Sequence, residues 1–249
     1  MFTKRIIARL DIKGPNVVKG VHFEGLRVIG DPITLAKRYA DQGAHEILYI
    51  DTVASLYGRN QLEELIRETA EEIFIPITAG GGIRSLEDVR KLLNAGADRI
   101  AINTHALHQP NLISAIAEKY GSQAITVSIQ AKRNATGWEA YAESGRERTG
   151  MSVIGWANKA VAEGAGELLI TSIDRDGTMK SFDTELYEQI DVSVPVVACG
   201  GLGKLSDTEV HADAIACASV LHYDKLTIGE IDEYVNQEQL SDTKRRATG

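Results

Sequence analysis

The chain has 249 residues, 43% apolar and 25% charged, an ordinary globular composition at a length that α/β barrels commonly reach as one domain. Its 27 basic against 35 acidic residues give a net charge of -8, which argues against a general nucleic-acid or membrane-surface binder, since either needs a basic face. Two cysteines, Cys199 and Cys217, form no CxxC pair, and neither an apolar leader nor a membrane-length apolar run is visible, so the expected location is a reducing cytoplasm.

Short apolar runs alternate with amphipathic stretches, the pattern of βα units feeding a parallel sheet. A first strand at 6–11 leads into a stretch from Ile12 to Gly30 that carries Lys19 and glycines 14, 20, 25 and 30. Long glycine-rich loops in compact domains usually cover a site. Asp31-Pro32 then opens a helix that Gly43 closes. Strands follow at 46–51 and 76–80, and a helix start is marked by Ser85 with Asp88 and its end by Gly96. After a strand at 99–103, Pro110 opens a helix that Gly121 ends. The remaining strands fall at 124–130, 167–174, 195–199 and 214–218. Most of the eight are apolar on both faces, as strands covered on both sides should be. The crossover after Gly201 is short, leaving barely two helical turns at 206–211, and 177–195 is also tight. A last helix is expected at about 227–235. The barrel would occupy 1–235, with a polar, frayed tail at 236–249.

The chain repeats itself at an offset of about half its length. Gly43-Ala44-His45-Glu46-Ile47-Leu48 returns as Gly164-Ala165-Gly166-Glu167-Leu168-Leu169. Pro76-Ile77-Thr78-Ala79-Gly80-Gly81-Gly82 returns as Pro195-Val196-Val197-Ala198-Cys199-Gly200-Gly201, and Ala97-Asp98 as Ala212-Asp213. Four βα units repeated once predict a single (β/α)8 (TIM) barrel made of two similar half-barrels, with its site at the C-terminal strand ends.

Those ends carry two sets of phosphate-binding features. Gly80-Gly81-Gly82 with Asn103-Thr104 forms one cradle, and Gly200-Gly201-Leu202-Gly203 with Ser219 forms its two-fold mate. Glycine lets backbone N–H groups approach an oxyanion closely. A single glycine turn is most often only a turn, but two at repeat-equivalent positions imply a small substrate with two phosphates. Among carboxylates, Asp11 at the end of the first strand is the acid/base candidate. Asp51 and Asp174 could equally cap turns, and Asp176 follows close behind. Gln130 occupies the repeat-equivalent place of Asp11 and can only exchange hydrogen bonds. At the opposite face Arg5, Glu46, Arg99 and Glu167 could close an ion-pair ring; spacing alone favours a merely stabilising role for them. No His/Cys/Asp cluster has ligand spacing, so no metal or organic cofactor is implied.

Over nearly its whole length the chain resembles the cyclase subunit of imidazole glycerol phosphate synthase. The resemblance rests on Lys4-Arg5-Ile6-Ile7 leading to Leu10-Asp11, Val18-Lys19-Gly20, Gly30-Asp31-Pro32, Gly80-Gly81-Gly82-Ile83, Ile102-Asn103-Thr104, Tyr120-Gly121-Ser122-Gln123, and the run from Thr171 to Thr178. It implies that a glutaminase (HisH-type) subunit docks at the N-terminal barrel face and sends ammonia through the barrel. The ammonia would meet an open-chain ribulosyl bisphosphate, yielding imidazole glycerol phosphate and an aminoimidazole carboxamide ribotide. Asp11 would then be the general acid/base. Gly82, Asn103 and Thr104 would hold one phosphate, while Asp176, Gly177, Gly203 and Ser219 serve the other end. Lys19 would clamp from its loop, and Arg5, Glu46, Arg99 and Glu167 would gate the ammonia.

Three positions depart from that family. Gln130 stands where it has a second catalytic aspartate, Arg99 where it usually has lysine, and Arg9 where it usually has a small residue. If Arg9 points inward it crowds the channel. Two other readings follow from these departures: a barrel that relays ammonia to a separate enzyme in surface-sugar amidation, and the sibling sugar-phosphate isomerase.

Overall fold

The computed structural model describes residues 4–54 and 62–247. The first strand, β1 (Arg5–Lys13), runs directly into a hairpin, β2 (Asn16–Val21) and β3 (Glu24–Gly30). Four strands follow with helices between them: β4 (Glu46–Asp51), β5 (Ile77–Gly80), β6 (Arg99–Ile102) and β7 (Ile125–Asn134). A second hairpin, β8 (Gly137–Ala142) and β9 (Glu147–Ser152), grows from β7, and β10 (Glu167–Ser172), β11 (Val196–Cys199) and β12 (Ala214–Cys217) complete the set. Eight of these strands pair in parallel in the order β1-β4-β5-β6-β7-β10-β11-β12, and β12 pairs back onto β1 with Arg5 opposite Ala214. The sheet is therefore a closed (β/α)8 barrel, as the repeat predicts.

Alternation along the strands builds two apolar layers. One face of β1 contributes Ile6, Ala8 and Leu10 to the large core under the helices. The other contributes Ile7, which clusters in the bore with Leu48, Ala101, Leu169, Val197 and Ala214. Helix ends follow local signals. Asp31 caps helix Pro32–Asp41 by accepting from Thr34 N at 2.8 Å. Ser85 caps Leu86–Ala95, and Gly96 leaves that helix in the left-handed region at φ 117°.

Three local expectations change. The stretch from Ile12 to Gly30 is no loop: β1 continues to Lys13, and the chain folds back on it as a hairpin, with Asp11 opposite Val18. Its two-fold mate, β8–β9, pairs Gln130 with Tyr141, which extends the half-barrel symmetry to the mouth coverings. The crossover after β11 is too short for an α-helix and forms a 3-10 turn, Leu205–Glu209. The last helix, Ile228–Ala247, continues well past the end expected at Val235. No helix among the described residues is long and apolar enough to cross a membrane.

Candidate active site

The two barrel ends carry different chemistry. At the N-terminal face the four charges of β1, β4, β6 and β10 close into a ring. Arg5 pairs with Glu46 at 3.0 Å and with Glu167, while Arg99 Nη1 lies 3.1 Å from Glu46 and 3.6 Å from Glu167. The Thr78 hydroxyl donates to Glu46 at 2.6 Å and the Thr126 hydroxyl to Glu167 at 3.1 Å. Both carboxylates are buried, and burial pushes the Glu46 carboxyl above its usual range against the pull of Thr78 and the two arginines.

At the C-terminal mouth, Asp11 lies on the inward face of β1. It accepts from Arg9 Nε at 2.8 Å and from Lys19 Nζ at 3.0 Å. Lys19 also bonds both oxygens of Asp176 at 2.9 Å. All four side chains are buried, so two cations and two anions balance within one cluster. Burial alone would raise the Asp11 carboxyl, but the adjacent Arg9 and Lys19 charges hold it well below the usual carboxylate range. Arg9, which the strand parity sends inward, places a buried guanidinium in the bore, bonded to Thr171 and Cys199.

β1 and β7 lie four places apart in the ring of eight, so Asp11 and Gln130 face each other across the mouth. Both line a central cavity of about 140 Å³, together with Lys19, Ser144 and Arg146. Gln130 Oε1 is buried there without a hydrogen-bond partner. A buried acceptor of this kind invites a donor from a ligand.

A cavity adjoins the centre on either side. Gly82, Asn103 and Thr104 line one with Arg84 and His105, and Gln130 and Ser144 form the wall it shares with the centre. Asp176, Gly177 and Ser219 line the other with Gly200 and Gly201, and Lys19 and Asp176 are shared. The three make one row across the barrel mouth. The glycines are needed where they stand: a Cβ on Gly81 would lie 2.3 Å from Asp51 O, and one on Gly201 2.1 Å from Ser181 O. Gly203 lies outside this row, and its N–H donates to Asp207 at 3.0 Å, so it braces the 3-10 turn.

Asp51 and Asp174 behave as structural ties. Asp51 accepts from Val53 N and Ala54 N at 3.0 and 2.9 Å, and Asp174 accepts from Arg133 N at 2.8 Å. Sequence reading missed Ser144 and Arg146, which the β8–β9 hairpin swings over the centre. The available signal was the turn Asn134-Ala135-Thr136-Gly137 beside strand-forming Trp138 and Tyr141. It also missed the hydroxyl of Thr104 as an anchor for that hairpin, accepting from Glu143 N at 3.0 Å. Among the described residues no group of three or more His, Cys, Asp or Glu could hold a metal ion.

With this geometry in view, two comparisons with known proteins bear on the chain. Residues 5–227 match the family model described as histidine biosynthesis protein. The chain is also similar to the imidazole glycerol phosphate synthase subunit HisF of Legionella pneumophila, at 57% identity over 210 residues, which cover 83% of this chain and 99% of that protein.

Proposed function

The chain belongs to the histidine biosynthesis protein family, and on that premise we propose that it is the cyclase subunit of an imidazole glycerol phosphate synthase. The observation that carries this reading is the single row of cavities in which two glycine cradles flank Asp11. A substrate with a phosphate at each extremity would stretch along that row and present its ketose carbon at the centre. Gly82, Asn103 and Thr104 would take one phosphate. Gly177 and Ser219, beside Asp176 and Lys19, would take the other, with Gly203 bracing that cradle from behind.

Ammonia adding to the ketose carbonyl moves the C=O π pair onto oxygen and gives an ammonium–alkoxide adduct, whose N–H proton is far more acidic than that of an alcohol. The Arg9 and Lys19 charges keep Asp11 ionised and therefore free to accept that proton. The same carboxyl can return the proton as the adduct collapses and the carboxamide ribotide leaves. Gln130 cannot share this transfer. Its unpartnered oxygen can accept a hydrogen bond from the reacting intermediate and so orient it. The partner would be a glutaminase (HisH-type) subunit docked at the N-terminal face, over Arg5, Glu46, Arg99 and Glu167. A cytoplasmic location fits this role.

Turnover of the ribulosyl bisphosphate with ammonium salt at alkaline pH, abolished by Asp11→Asn, is the expected result. Tight substrate binding with no turnover would favour the relay reading instead, although that role needs an open bore, which the inward Arg9 opposes. Isomerisation of the preceding formimino compound would favour the sibling isomerase.

A further inference from the structure

The bore of this barrel is stacked in layers. Odd residues of β1 face inward, so Arg5 lies in the ion-pair ring, Ile7 in the apolar cluster above it, Arg9 above that, and Asp11 at the mouth. Any small molecule rising from the ring to Asp11 must pass the level of Arg9. There the guanidinium does not hug its own strand. Nη1 donates to Thr171 Oγ1 on β10 at 3.1 Å and to Cys199 Sγ on β11 at 3.2 Å, while Nε holds Asp11. β10 is three strands away from β1 in the ring of eight, so the side chain reaches most of the way across. The interior of an eight-stranded barrel is just wide enough for side chains to fill. Arg9 is 4% exposed, and Phe23 of the first hairpin covers its guanidinium from above, 5.8 Å from carbon to ring centroid.

We propose that Arg9 is a throttle on internal ammonia transfer: it bars the axial route from the ion-pair ring to Asp11, so that this subunit uses ammonia entering at the mouth better than ammonia made at its N-terminal face. The proposal rests on the cyclase reading above. A guanidinium tied to three strands does not swing aside freely, because each departure strands a buried polar partner. Ammonia released below therefore escapes to solvent more often than it climbs the bore. Position 9 then sets the coupling between glutamine hydrolysis and cyclisation rather than the cyclisation chemistry itself.

The test uses the complex with a HisH-type glutaminase and two nitrogen sources, glutamine and ammonium salt. For the unaltered protein, glutamate should form in clear excess over imidazole product. Arg9→Ala should raise the ratio of glutamine-dependent to ammonium-dependent rate by about tenfold. Both rates use Asp11, so loss of the Arg9–Asp11 ion pair cancels in that ratio. Arg9→Met keeps part of the length and bulk without charge, and should raise the ratio less than Arg9→Ala does if volume does the blocking. Should Arg9→Ala not fold, the glutamate-to-product stoichiometry of the unaltered complex decides alone. One glutamate per product, or a ratio that Arg9→Ala leaves unmoved, overturns the throttle while leaving the cyclase reading intact. Absence of cyclisation from either nitrogen source overturns both.

Discussion

Lys19 Nζ lies 2.9 Å from both carboxylate oxygens of Asp176, and this buried pair ties the β2–β3 hairpin across the mouth to the segment after β10. The backbone reinforces the tie: His22 N donates to Asp176 O at 2.9 Å, and the His22 ring meets Ile173 O at 2.8 Å. The glycine-rich stretch that covers the site is thus latched shut over Asp11 by the same lysine that helps set its charge.

Removing that lysine should be costly. Lys19→Met leaves Asp176 buried without its cation, and breaking one side of a buried pair typically costs about 3–5 kcal/mol. Urea unfolding at neutral pH measures it. The double variant Lys19→Met with Asp176→Leu should recover much of the loss, because the orphaned charge is gone as well. A single variant as stable as the parent would show that the pair does not hold the hairpin.

Gly177 supplies the closest approach in the latch. Its φ is 75°, and a Cβ there would lie 2.2 Å from Gly20 O. Gly177→Ala should therefore push the hairpin off the segment after β10 and cost roughly 1–3 kcal/mol. Limited proteolysis reads the outcome directly: cleavage within residues 14–30 should speed up in the variant, while the barrel helices stay resistant. Unchanged cleavage would place the hairpin's stability elsewhere.

Stability should fall in two steps on acidification. Burial pushes the His222 imidazole down to about 4, and its ring accepts or donates to Tyr39 OH at 2.8 Å. A depressed folded value means that stability is complete above the unfolded value of roughly 6.5 and is lost as pH falls toward the folded one. Asp11 obeys the same sign lower down: its contribution is complete above roughly 4 and is lost only in stronger acid. The urea midpoint measured against pH should thus decline first between about 6.5 and 4, then again below 4. His222→Gln should remove the first step and Asp11→Asn the second.

The scaffold was legible because each barrel strand is apolar on both faces and because the halves repeat in phase. Asp11 stood out through the long segment behind it, whereas Asp51 and Asp174 could not be separated from turn caps without seeing which backbone N–H groups they accept. The hairpins were hidden for a physical reason. β2 and β3 are short, glycine-interrupted and partly exposed, so their pairing depends on the finished barrel mouth rather than on their own periodicity. Strand parity alone sends Arg9 inward with Asp11, two residues away. Its partners Thr171 and Cys199 sit 162 and 190 residues on, which no local pattern encodes.

Gln130 poses the sharpest chemical question at this site. It faces Asp11 across the central cavity with a buried, unpartnered oxygen, at the position where the family resemblance places a second carboxylate. Everything around it is arranged as if for an acid/base pair: a cradle on each side, an ionised carboxylate opposite, and a hairpin over the top. Gln130→Asp should therefore raise the ammonium-dependent kcat by at least about tenfold, towards the roughly 10²–10⁴-fold that a positioned acid/base typically supplies. A new carboxylate also brings a negative charge toward a bisphosphate, so KM should rise as kcat does, and the split between the two separates proton transfer from binding. The pH profile adds an independent check. Asp11 stays ionised across the working range, so any new acid limb, measured per unit of free ammonia, belongs to the carboxylate that Gln130→Asp introduces. A variant that binds substrate normally and gains nothing would mean that Asp11 alone carries the proton, and that the limiting step lies in delivering ammonia to it.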